Sequence, residues 1–121
     1  MAEPIFDKRD QLEQVEKGLL QGEDVLAVYD CTGTGTGFLG LTTHRIVFQD
    51  KSFVGKEAAL TSVPYRQVRS VSVVSDKSWA GGFFSSSSIV IDVGGALHQA
   101  DFRSDDKALH AHNVVLWYIT R

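Results

Sequence analysis

Cysteine is almost absent from this 121-residue chain. The single one, Cys31, excludes an internal disulfide framework and suits a reducing compartment, so a cytoplasmic location is expected. No apolar run approaches the roughly 18 residues that span a bilayer. Met1 to Asp10 is polar and charged, without the apolar stretch of a secretory signal. A basic surplus is also missing: Lys+Arg 12 against Asp+Glu 15 gives −3, with the signs interspersed, so no nucleic-acid partner is expected. His110 and His112 are two apart on a helical pattern and point to nearly opposite sides, unlike the i, i+4 pair that chelates zinc. With no second cysteine and no carboxylate at ligand spacing, neither a metal nor a cofactor is expected. Ser85 to Ser88 precede a strand pattern, with no nucleophile elbow and no recognisable base. Asp105 and Asp106 suit a helix start, and Cys31 has no basic neighbour to activate it. An enzyme is therefore not expected.

What is present is a patterned chain of one-domain length, long enough to bury roughly two-thirds of its unfolded surface. Its centre is Gly37 to Asp50. Leu39 and Leu41, then Ile46 and Phe48, alternate around the polar corner Thr42-Thr43-His44, with Arg45 and Gln49 pointing away. That is a hairpin signal. Upstream, Asp7 is placed to cap a helix over Lys8 to Gln21, with Leu12, Val15, Leu19 and Leu20 on one face and Gly22 as its stop. Glu23 to Cys31 reads as a strand holding an apolar block. Further strands are expected over Glu57 to Val63, Val68 to Ser75, Ser87 to Val93 and Leu97 to Arg103. Pro64 has no N–H to give a ladder, so Pro64 to Gln67 reads as a redirecting turn. Gly94-Gly95 marks a tight turn. Ser104 is placed to cap a last helix, whose apolar face reads as Ala108, Leu109, His112, Val115, Leu116 and Ile119. The expectation is a mainly β (α+β) fold. It has an N-terminal helix in residues 1–22 and, over residues 23–121, a seven-stranded antiparallel barrel or sandwich capped by the C-terminal helix.

Three segments resemble the bacterial pleckstrin-homology-like family, long filed as a domain of unknown function. The first is Leu39-Gly-Leu-Thr-Thr-His-Arg-Ile-Val-Phe48, similar to the family's apolar-x-Leu-Thr-x-x-Arg pattern. The second is Gly55-Lys56 followed by Ser62-Val-Pro-Tyr-Arg-Gln-Val68. The third is the ending, a strand finishing at Phe102 followed by a polar helix start and an apolar helix. The resemblance covers nearly the whole chain. It implies two nearly orthogonal sheets plugged at one end by the last helix, and ring-like homo-oligomers. It implies no defined activity or ligand.

Gly33, Gly35 and Gly37 are spaced G-x-G-x-G and lead into a strand, whereas the dinucleotide fingerprint needs G-x-G-x-x-G opening a helix. They read as a strand connector using positive φ. Eukaryotic pleckstrin-homology domains place basic residues after the first strand for lipid phosphates. The matching Thr32 to Phe38 segment here has none. Lys51, Lys56 and Arg66 are the candidates for an anionic-lipid surface. Trp79, Phe83 and Phe84, with Val114 and Trp117 on the last helix, read either as a contact surface or as rings folded back on their own barrel. The expected function is a non-enzymatic module that self-associates or binds a protein or peptide segment. The alternative is a membrane-surface reader.

Overall fold

In a computed structural model, which describes residues 3–32, 35–50, 59–77 and 84–121, the apolar block at Val25 is strand β2 (Val25–Asp30). Its residues do not alternate with polar ones because both its faces are covered. Ala27 and Tyr29 face the main core, while Val25 and Val28 pack under a helix with Phe38 and Val47. That helix, α1 (Arg9–Glu16), lies over strands β2, β3 (Thr36–Thr42) and β4 (Arg45–Asp50). Its seat is Gly40, which pairs with Val28 on one side and Val47 on the other. A Cβ on Gly40 would meet Val15 Cγ2 at 3.0 Å. Gly40→Val is expected to overpack this contact and cost about 1–3 kcal/mol, read as a lower urea midpoint. An unchanged midpoint would mean that α1 is not held by this seat.

The five-stranded sheet runs β1-β2-β3-β4-β5, with β1 (Ile5–Phe6) and β5 (Ala59–Pro64) at its edges. β1 pairs parallel to β2 and was not anticipated, since two residues carry no periodicity. The other pairings are antiparallel, as expected. Pro64 ends β5 opposite Arg45 on the sheet edge, where its missing N–H breaks no ladder. A 3-10 turn, Tyr65–Gln67, then redirects the chain. The second sheet has three strands in the order β6 (Ser70–Lys77), β7 (Phe84–Asp92) and β8 (Leu97–Phe102). The sheets join at a Thr32–Asp101 bridge and a hydrogen bond from the Thr36 hydroxyl to the Gln99 carbonyl, 2.7 Å. Among the described residues no ladder joins β5 to β6, so the molecule is a sandwich and not the closed barrel also considered.

Helix α2 (Asp105–Ile119) packs on β6 and β7 with Ala108, Ala111 and Val115 fully buried. Its core face is therefore rotated from the expected one. Ala108, Val115 and Ile119 face the core as expected, whereas Leu109 and Leu116 are exposed and Ala111, Val114 and Tyr118 turn toward it. Two alanines let the helix lie close to the sheet, and that close packing outweighs the greater hydrophobicity of the two leucines. Ser104 occupies the cap position without a side-chain bond. The first helix is also shorter than expected and ends at Glu16, leaving Leu20 exposed. Asp7 does not cap it. Its carboxylate instead accepts from the Asp30 backbone N–H and from Lys107. Gly35 and Gly37 have no positive φ; among the described glycines only Gly22, Gly94 and Gly95 do.

Candidate functional site

The Thr42 corner is where distant segments meet. The Thr42 hydroxyl accepts from the backbone N–H groups of His44 and Arg45, each at 3.0 Å, and donates to Glu23 Oε2 at 2.6 Å. Glu23 has a fully buried side chain. Arg45 grips its carboxylate with two bonds, Nε at 2.8 Å and Nη2 at 2.9 Å, and the Leu20 N–H adds a third donor at 2.8 Å. Burial alone would push the Glu23 carboxyl up. The bonds from Arg45, Thr42 and Leu20, with the Arg45 charge, outweigh it and hold the carboxyl below its ordinary value. Arg45 also donates to the Gly18 carbonyl and the Ser62 hydroxyl. Gly18 and Leu20 thus give their backbone groups to this pair instead of to further helical turns, which is why α1 stops early.

Tyr65 ties the corner to α2. Its hydroxyl donates to the Thr42 carbonyl at 2.7 Å, and its ring stacks on Tyr118 at 4.5 Å between centroids, 9° from parallel. A groove of about 570 Å³ opens beside this stack. Tyr65 is its most buried wall, Tyr118 is half-buried, and Leu20 and Pro64 flank them. His44, Ser62 and Arg66 line it from exposed positions, and among the described residues no acidic one does. On the outer side of α2 a second feature appears. Leu109, Leu116 and Trp117 are 53, 41 and 51 % exposed, and the Arg121 guanidinium lies 3.2 Å from the Trp117 ring centroid.

No family model and no curated protein matches the chain. Solved structures do. A pleckstrin homology domain from Shewanella amazonensis SB2B superposes with a TM-score of 0.70 at 14 % identity, over 95 % of this chain and 100 % of that one. The fold is that of a bacterial pleckstrin-homology domain. A DUF1696-family protein with a pleckstrin-homology domain from Shewanella loihica PV-4 gives 0.67 at 13 % identity, over 93 % of each chain.

Within this pleckstrin-homology fold, Arg66 is the proposed lipid residue that falls among the described residues. Arg66 follows Pro64, which pairs with Arg45, whereas Asp50 pairs with Ala59 at the other end of the same two strands, about 17 Å away by strand rise. Lys51 and Lys56, like Trp79 and Phe83, lie outside the described residues, and Phe84 is described only as the start of β7. Of the helix pair, Trp117 is exposed and Val114 packs against the core. Arg45 does leave the main core, as its alternation indicates, but there it meets Glu23 and stays only partly open to water. His110, rather than His112, bonds the sandwich. The Tyr29 hydroxyl and His110 Nδ1 share a hydrogen bond at 2.5 Å, and burial, then the Asp7 charge, push the phenol up. His112 meets Asn113 and His98 stacks on Phe48. Among the described residues no group of three or more His, Cys, Asp or Glu side chains is placed to hold a metal.

Proposed function

We propose that this chain is a non-catalytic contact module that associates with copies of itself through the outer face of α2. The observation that carries this reading is the row Leu109, Leu116 and Trp117, apolar and about half exposed on one side of one helix. The edges of β5 and β6, unpaired among the described residues and with Leu60 and Val74 also exposed, supply a second sticky element. Light scattering at micromolar concentration is the test. The wild-type chain should run as an oligomer, and Trp117→Ala or Leu116→Glu should weaken its association about tenfold or more. A strict monomer that neither variant changes would remove the reading. Sedimentation with anionic vesicles, abolished by Lys51→Glu plus Lys56→Glu and by added salt, would favour the membrane reading in its place.

A further inference from the structure

The groove between the Thr42 corner and the end of α2 adjoins the outer α2 face, where Trp117 packs edge-on against Tyr118, but is not lined by Leu109, Leu116 or Trp117, and its chemistry is one-sided. The stacked rings of Tyr65 and Tyr118 offer a flat apolar wall. Around it the polar groups are donors. Ser62 accepts from Arg45 at 3.1 Å, so its own hydrogen is left to give. The Thr43 hydroxyl accepts from the Asp24 N–H and lies 2.8 Å from His44 Nδ1. In the tautomer that gives this hydroxyl hydrogen a partner, His44 carries its ring N–H on Nε2. Charge then sets the class of ligand. Arg45 is neutralised by the buried Glu23 beneath it, while Arg66 has no ion pair among the described residues. One uncompensated guanidinium with the His44 and Ser62 donors suits an anion, and the guanidinium fork fits the two oxygens of a carboxylate. A volume of about 570 Å³ holds a small ligand of that kind.

We infer that this groove binds one carboxylate joined to a flat apolar body, with Arg66, His44 and Ser62 on the carboxylate and the Tyr65–Tyr118 stack on the body. Such a group belongs either to a free arylalkanoic acid or to the C-terminal aromatic residue of a peptide. Calorimetric titration with N-acetyl-L-phenylalanine is the first probe, with a Kd of about 1 mM expected for a ligand that small. N-acetyl-L-phenylalaninamide, which lacks the charge, should bind at least about tenfold more weakly. Arg66→Glu should weaken the acid to the same degree, whereas Arg9→Glu, a charge change on α1 outside the groove, should leave it unchanged. Amide shifts in the bound state should centre on Thr43, His44 and Arg66. A tetrapeptide ending in phenylalanine then separates the sources. Binding at least about tenfold tighter than the single residue assigns a peptide terminus, and equal binding assigns a free acid. Equal affinity for acid and amide, or an Arg66→Glu variant that binds like wild type, would overturn the carboxylate assignment. No heat and no shift with any probe at about 10 mM would overturn the site itself.

Discussion

Glu23→Ala is expected to destabilise the protein by about 3–5 kcal/mol, seen as a large fall in the urea midpoint. The Glu23 side chain is fully buried and its partner Arg45 only 20 % exposed, so the change strands a positive charge beside the sheet. It also removes the acceptor of the Thr42 hydroxyl and of the Leu20 N–H. Arg45→Ala should cost a similar amount for the converse reason. The double variant should cost clearly less than the sum, because neither charge is then left alone. Additive losses would mean that the two residues act separately.

The same pair gives a pH signature. The Glu23 carboxyl is held below its ordinary value in the folded protein. Its contribution is therefore complete above the ordinary glutamate range and disappears as pH falls through the lowered folded value. Wild type and Glu23→Gln should differ most near neutrality and converge in acid.

The sandwich was legible in the sequence because its strands carry period-two or continuous apolar signals. The inner row Leu39, Leu41, Ile46 and Phe48 is the core row of the structure. The Thr42 corner was legible as a turn, but its purpose was not. Glu23 reads as the polar lead of a strand, and Arg45 as an outward residue. Only tertiary folding shows that the outward side of β4 is covered by the segment Gly18 to Glu23. The phase of α2 was misread for a related reason. Periodicity weighs leucine above alanine, whereas close packing on β6 and β7 adds Ala111 to the expected Ala108 and Val115 and leaves Leu109 and Leu116 outside. Of the groove only Arg66 was singled out, as an anion candidate, because Ser62, His44, Arg66 and Tyr118 come from four separate elements. The conjunction of Leu-Thr-Thr-His-Arg with Pro-Tyr-Arg was its other trace, since Tyr65 reaches the Thr42 carbonyl.

Tyr65→Ala is the second large effect, expected at about 3–5 kcal/mol. The ring is buried, stacks on Tyr118, and joins the hairpin corner to the last helix through its hydroxyl. Removing it opens a cavity at the one place where the redirecting turn, the hairpin and α2 converge. The helix end should loosen with it, giving faster hydrogen exchange at Leu116 and Tyr118 than in wild type. Tyr65→Phe separates the two contributions. It keeps the stack and deletes only the donor to Thr42, so a loss of about 1–3 kcal/mol is expected. Burial first, then the nearby Tyr118 and Glu23, push the Tyr65 phenol far above its ordinary value. The unfolded chain ionises it near pH 10 and the folded chain does not, so wild-type stability should fall as pH rises past about 10. Tyr65→Phe has no such proton to lose and should lack that part of the alkaline slope. Equal slopes in the two proteins, or a Tyr65→Ala variant within about 1 kcal/mol of wild type, would show that the corner and the helix are held together by something other than this ring.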